Sequence, residues 1–334
     1  MAVNITYDNC SLDLTEAEIP IILVLTLIFN LISLVIIIRM KCLTESIDHL
    51  LVTTLTINDL FSTVVYTTMW LGGWMTCGVM LQNISCDIMG WLGTVTVMYS
   101  AGIIVIMSSC RYLALVRPIF YRMQVTLKSV KIALVTLLLY FVLVTIFPLC
   151  GITTPYYYYN SNFVCAYNFT PGDGAMFHRG ILGLIAVSGI VTTLIVLFFN
   201  ISIIRQLRKT SSVGHADSAN KGSVLQSKRL TITTITLVVS LVYCFTYGPF
   251  LIRVLLDVII NSDAQEDLYH SITMSLLFLS PLLNPIIYVF LNARHRHCLL
   301  QLLKSVIYRL RCRKMPIEDR NSDTLPTANP TGHI

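Results

Sequence analysis

Apolar residues fill this chain in long unbroken blocks. Seven stand out, at about Ile19–Arg39, Leu50–Leu71, Asp87–Leu115, Lys131–Cys150, Gly180–Ile204, Leu230–Leu256 and Leu268–Leu291. Each is bounded by polar or turn-forming residues, and each is long enough to cross a hydrocarbon core of roughly 30 Å as helix. Backbone groups in lipid find no water, so such blocks form helices or a closed barrel, and the lack of apolar/polar alternation decides for helices. The pattern predicts an all-α protein, one seven-transmembrane helix bundle. Beyond it, Leu299, Leu302, Leu303, Val306, Ile307 and Leu310 recur at helical spacing among Arg and Lys. That predicts a short amphipathic helix on the membrane surface. The Ser- and Gly-rich stretch 208–229 reads as a mobile loop, and the polar tail from Met315 as disordered. The expected organisation is an extracellular segment 1–18, a membrane domain 19–291, and a cytoplasmic helix and tail 292–334.

Composition places the chain. Charged residues make up 12% and apolar residues 55%, with a mean hydropathy of +0.74; a soluble domain carries about 25% charge. Lys and Arg then orient it. The segment before the first block holds Asp8, Asp13, Glu16 and Glu18 and no basic residue. Of the 23 Lys and Arg, only Arg179 and Arg253 fall on the N-terminal side of a seven-span topology. The bias predicts a multi-pass plasma-membrane protein with its N-terminus outside, and a first block that stays as an uncleaved anchor. The sequons at Asn4, Asn9, Asn83 and Asn168 all fall on that outer side. The net charge of +6 reflects inner loops facing anionic lipid and a protein partner, and calls for no nucleic acid.

Candidate chemistry is sparse. Cys86 and Cys165 share the oxidising side and can bridge; Cys10 and Cys77 share it too, which leaves a second pairing open. Cys110, Cys150 and Cys244 read as small packing residues, and Cys312, beyond the amphipathic helix, as a lipidation candidate. No Cys/His cluster suggests a bound metal. Asp59 is the one acid well inside a block, which makes it either a carboxyl satisfied by polar neighbours or a cation-linked switch. Pro285 and Pro249 each remove a helix hydrogen bond, with Asn284 and Tyr288 near the first and Tyr247 near the second.

Together these motifs resemble the rhodopsin-like G-protein-coupled receptors, from Asn30 through the amphipathic helix. Asn30 and Asp59 match the family's helix 1 and helix 2 residues. Cys86 matches the cysteine that opens helix 3, and Arg111-Tyr112 within "RYLALVRP" matches the motif that ends it. Asn284, Pro285 and Tyr288 complete Asn-Pro-x-x-Tyr, and Pro249 is the helix 6 proline. The resemblance implies a Cys86–Cys165 disulfide, G-protein coupling through Cys110, Arg111 and Tyr112, an activation switch at Asn284, Pro285, Tyr288, Pro249 and Tyr247, and a possible allosteric sodium ion on Asp59, Ser100, Ser280 and Asn284. It also implies an extracellular small-molecule or lipid ligand, a heterotrimeric G protein and arrestin as partners.

Departures refine this. Cys110 stands where the family has an acid that restrains the arginine, so Arg111 is expected to be held only by polar neighbours and headgroups, and the chain to signal without ligand. Gly93 falls where amine receptors carry an aspartate. An apolar ligand is therefore expected, near Gly93, with Arg253 and Arg179 as the outer cations available to an acidic group. "LLVTTLTINDLFST" and "LFFNISII" are similar to prostanoid receptors, although Ser275 stands where those carry an arginine. A transporter or channel built on Asp59 is the rival class; no repeat or paired broken span supports it. No HExxH or GxSxG motif suggests an enzyme.

Overall fold

The computed structural model describes residues 18–41, 46–76, 84–159, 163–168, 176–213, 222–260, 268–292 and 295–304. Asn4, Asn9, Asn83, Cys10, Cys77, Cys312 and the polar tail lie outside them. Helices α1 (Glu18–Lys41), α2 (Ile47–Thr76), α3 (Ile84–Val116), α5 (Leu127–Thr145), α6 (Met176–Val213), α7 (Gly222–Ile260) and α8 (Leu268–Leu291) supply the seven expected spans. A ninth helix, α9, covers 295–304, where the amphipathic pattern begins.

The helix ends depart from the reading by hydropathy. The fourth span stops at Thr145, because Pro148 cannot continue the hydrogen-bond ladder and residues 147–150 form a turn. Its start is fixed by Thr126, whose hydroxyl accepts from the Ser129 N–H at 3.1 Å while the Ser129 hydroxyl accepts from the Thr126 N–H at 2.9 Å. A short helix, α4 (Pro118–Gln124), was not foreseen; Pro118 at its first turn pre-sets the backbone angle. The supposed loop 208–229 is partly helical, since α6 runs on to Val213 and α7 begins at Gly222.

Packing follows a ring, α1 on α2, α2 on α3, α3 on α6, α6 on α7, α7 on α8, and α8 back on α1. Helix α5 attaches to α3 from outside the ring. Two apolar clusters fill the interior, one centred on Met69, Leu182 and Phe278, the other on Leu55, Ile103 and Val239. Helix α3 contributes to both and is the axis of the bundle.

A two-stranded antiparallel hairpin, β1 (Tyr157–Tyr159) and β2 (Val164–Ala166), caps one end, with Tyr158 opposite Cys165. Two ties bring it down onto α3 and a third joins it to α5. The Cys86–Cys165 disulfide is formed. The Asp87 carboxylate accepts the Tyr156 N–H at 2.8 Å, and the Tyr156 hydroxyl donates to the Thr145 carbonyl at 3.0 Å. Burial pushes the Tyr156 phenol well above its ordinary pKa and that of Tyr167 up to about 12, so both remain neutral. At the foot of the hairpin, α3 presents Gly90, where an added Cβ would lie 2.6 Å from the Tyr156 ring. Gly90→Val should therefore lift Tyr156 off α3 and lower the melting temperature by several degrees, a loss in the ~1–3 kcal/mol range of overpacking. An unchanged melting curve would show that the hairpin is not seated on this glycine.

Candidate functional site

The spans bury one acid completely, and the sequence supplies its partners. Asp59 projects from the middle of α2 with no exposed surface. Ser100 of α3 donates to its Oδ1 at 2.9 Å, and the Nδ2 of Asn284 in α8 donates to its Oδ2 at 2.8 Å. Asn58, which sequence reasoning passed over, donates to the Ser100 hydroxyl at 2.7 Å and to the Thr96 carbonyl at 2.8 Å. Ser280 is buried in α8 one turn before Asn284. Thus all four residues of the expected cation site are interior, and three of them touch one another. Asn284 Oδ1 is buried with no hydrogen-bond partner among the described residues. Carboxylate, hydroxyl and amide oxygens are suited to a hard cation, so the donor set fits sodium.

Asn30 shows how the proline in α8 is accommodated. Pro285 has no N–H to give the carbonyl of Pro281 one turn earlier. Asn30 of α1 fills that vacancy, donating Nδ2 to the Pro281 carbonyl at 2.9 Å. The kink and the α1–α8 contact are one feature. Beyond it, Tyr288 is buried, with its hydroxyl unpartnered among the described residues. In α7, Tyr247 packs on Tyr243 at 4.7 Å between ring centres and donates to the Val97 carbonyl of α3 at 3.3 Å. Pro249 lies within α7 two residues on.

At the opposite end from the hairpin, Arg111 and Tyr112 diverge. Tyr112 stacks outward on Phe199 of α6, 4.9 Å between ring centres. Arg111 turns inward and forms an ion pair with Asp48 in the first turn of α2. This corrects the expectation that Arg111 lacks an acid. Cys110 is buried beside it and supplies none, but another helix does. Sequence reasoning missed Asp48 because the first apolar residues of α2 were placed after it, and no spacing rule joins the start of one span to the end of the next. One turn away, the hydroxyls of Ser108 (α3) and Ser240 (α7) lie 2.8 Å apart and tie a third helix to this end.

Between these ends lies an interior cavity of 720 Å³, within the roughly 300–1,000 Å³ typical of small-molecule sites. Its lining includes Tyr66, Met98, Tyr247, Phe250, Leu277 and Phe278 and, among the described residues, no Asp, Glu, Lys, Arg or His. The three residues expected near a ligand are elsewhere. Gly93 sits behind Tyr66, whose hydroxyl would be 3.1 Å from an added Cβ. Arg253 pairs with Asp257 one turn away at 3.1 Å and lies over the Tyr269 ring. Arg179 is half-buried near the start of α6, off the cavity wall. Asp257 is also a second buried acid within a span, reached because α7 continues to Ile260. Its i, i+4 spacing from Arg253 was the signal that could have found it. Cys150, read as a packing residue, is exposed. Asn168 is half-buried, and its carbonyl lies 2.8 Å from His178 Nε2.

Comparison with known proteins bears on this arrangement. A family model described as "7 transmembrane receptor (rhodopsin family)" matches residues 29–288. Among solved structures, squid rhodopsin superposes with a TM-score of 0.73 over 93% of this chain and 91% of that one, at 16% identity. That likeness concerns the fold. A search of curated proteins finds no match.

His295 of α9 places its Nδ1 3.0 Å from the Tyr288 carbonyl, which couples the surface helix to α8. Burial holds its pKa below the ordinary histidine value; the bond to Tyr288 acts against that, and nearby His49 adds to the depression. A histidine kept neutral in the folded state stabilises fully above its unfolded pKa of about 6.5, and that contribution is lost as pH falls through the lower folded value. Thermal stability should therefore drop between about pH 7.5 and about pH 5.5, and less so in His295→Asn. Identical pH dependence in the two proteins would remove His295 from this coupling.

Proposed function

Because the chain belongs to the rhodopsin family of seven-transmembrane receptors, we propose that it is a plasma-membrane receptor that binds an uncharged, apolar ligand in the interior cavity and activates a heterotrimeric G protein at the Arg111 end. The family is one of receptors rather than enzymes, and the seven spans make the chain a multi-pass membrane protein. The N-terminus is assigned to the outside by the distribution of Lys and Arg. The observation that carries the ligand reading is the cavity lining, which among the described residues is aromatic and aliphatic with a few hydroxyls and no charge. An ionised ligand would bury its charge there without a partner, at a cost of several kcal/mol. That weighs against a prostanoid-type ligand, which carries a carboxylate, since the nearby Arg253 already faces Asp257. Asp59 is engaged by Ser100 and Asn284 from two other helices, an arrangement that suits a structural or switching role better than a carrier residue.

The switch follows from two-state physics. A ligand shifts the bundle only by its differential affinity for the two arrangements. Tyr247 lines the cavity and also bonds to α3, so a guest there bears on the α3–α7 contact. Ser108 and Ser240 join the same two helices near Arg111. A sodium ion held by Asp59, Ser100, Ser280 and the orphaned Asn284 carbonyl would supply positive charge between α2, α3 and α8 and favour the arrangement that keeps them together. Arrestin is expected to use the same end as the G protein, lipid headgroups are expected to meet α9, and glycans are assigned to the outer sequons.

The direct experiment is guanine-nucleotide exchange on purified heterotrimeric G proteins by the chain reconstituted in nanodiscs, with and without a library of uncharged apolar compounds. Stimulation by at least one compound is expected; none across all G-protein classes would refute the receptor reading.

Arg111 and Asp48 give a sharper outcome. Their side chains are 11% and 30% exposed, so the pair is only partly screened and is worth more than the ~0–1 kcal/mol of a surface ion pair. Asp48→Asn should raise ligand-independent exchange several-fold and Arg111→Ala should abolish it. Cys110→Asp should change it less than Asp48→Asn, since Arg111 already has an acid. A larger effect from Cys110→Asp would mean that the α2 aspartate does not restrain the arginine.

A further inference from the structure

The cavity reaches the outer face of the bundle between α5 and α6. Its wall there is Leu137, Tyr140 and Phe141 of α5 opposite Ile181, Leu184 and Ser188 of α6. Helix α6 packs on α3 and α7, while α5 packs on α3 and forms no comparable pair with α6 among the described residues. A crevice remains between them. Leu184 is 72% exposed and Tyr140 55% exposed. Both lie inside the membrane-crossing lengths of their helices, Leu127–Thr145 and Met176–Lys209. What meets them is therefore acyl chain, since a backbone at this depth is surrounded by hydrocarbon. A second hollow, on the face of α6 lined by Met176, Phe177 and Gly180, shares Ile181 and Leu184 with the cavity. The two hollows therefore meet at Ile181 and Leu184, apolar residues of α6.

The lining changes character across the cavity. At the α5–α6 side it is mainly aliphatic and aromatic, with Ser188 and Thr192 the hydroxyls of α6; at the far side, toward α1, α2 and α3, hydroxyls are more frequent, with Thr26, Ser62, Thr63, Tyr66 and Ser100. Hydroxyls there can satisfy a neutral hydrogen-bonding group, and no charged side chain among the described lining residues is present to neutralise an ion. The hairpin, held down by the disulfide and by Asp87, puts its own Val164, Cys165 and Ala166 against the top of the cavity.

We propose that the cavity takes an uncharged long-chain lipid bearing a hydroxyl or ester head, which enters sideways from the bilayer between α5 and α6 and lies with its head toward Ser62 and Tyr66 and its chain toward Leu184. This rests on the receptor reading only for its consequence; binding itself can be read without any G protein.

The test uses the full chain in phosphatidylcholine nanodiscs, with a monoacylglycerol carrying a diazirine near its glycerol as the probe. An alkyl sulfate of the same length, with its diazirine next to the sulfate, serves as the charged control. After photolysis, labelled positions are mapped by mass spectrometry. Monoacylglycerol should label interior residues such as Met98, Tyr247 or Phe250, and alkyl sulfate only outward ones such as Leu139. The Leu137→Trp/Leu184→Trp protein should lose interior labelling at least fivefold while Leu139 labelling stays unchanged. Gly180→Trp, where an added side chain meets nothing within 4 Å at its Cβ, should give the same direction of change with an undisturbed melting temperature. Interior labelling that persists in both tryptophan proteins overturns the sideways route. Equal interior labelling by the sulfate overturns the uncharged class, and labelling confined to outward residues means annular lipid only and overturns the site. A chain that labels as expected yet never drives nucleotide exchange would refute the signalling proposal alone.

Discussion

A carboxylate with no exposed surface in the middle of a membrane bundle is the constraint on which the other contacts depend. Asp59 can remain there only if donors meet both of its oxygens, and those donors come from two other helices, Ser100 on α3 and Asn284 on α8. Each such bond to a charged group contributes about 1.5–3 kcal/mol, and each is lost if a helix slides by a residue. The carboxylate thereby fixes the register of α2, α3 and α8. Asn30 extends the set to α1 by satisfying the carbonyl that Pro285 leaves bare. Packing alone would not do this, because lipid is as apolar as the helix faces and small shifts in register cost little.

The two ends of the bundle answer to this centre in different ways. At one, a disulfide and an aspartate hold a hairpin down on α3 and a tyrosine ties it to α5, a rigid closure. At the other, an ion pair between α2 and α3 and a hydroxyl pair between α3 and α7 are the ties, each of which can part without breaking a covalent bond. The asymmetry suits a device that is fixed where the cavity is capped and movable where a partner would dock. Helix α3, which carries Cys86, Ser100 and Arg111, runs through all three levels.

Much of this was legible in the sequence, and the physical reason differs by feature. Spans announce themselves because lipid demands long apolar runs, and all seven appear. Motif residues such as Asp59, Asn284 and Asn30 stood out because polar groups inside such runs are costly, and the family resemblance, not the linear pattern, grouped Asp59 with Asn284. Helix ends were less clear. Pro148 cut the fourth span short, and α6 and α7 ran past their apolar stretches, since hydropathy reports where lipid ends and not where hydrogen bonding ends. Contacts between helices were least legible. Asp48 lies outside the apolar run of α2, and nothing in the linear pattern brings it to Arg111. Gly93, Arg253 and Arg179 were candidates by depth and charge, but the cavity is shaped by Tyr66, Tyr247 and Phe278, aromatic residues indistinguishable in sequence from ordinary packing.

Exchanging the two partners at the centre tests the register claim most directly. Asp59→Asn and Asn284→Asp should each lower the melting temperature of the detergent-solubilised protein, because each leaves two like groups facing each other. The double exchange restores one carboxylate and one amide across the same gap, with Ser100 still able to donate, and should recover most of the loss. A double variant whose loss equals the sum of the two single losses would contradict the account, since it would show that the α2–α8 pairing through Asp59 and Asn284 does not hold the bundle together.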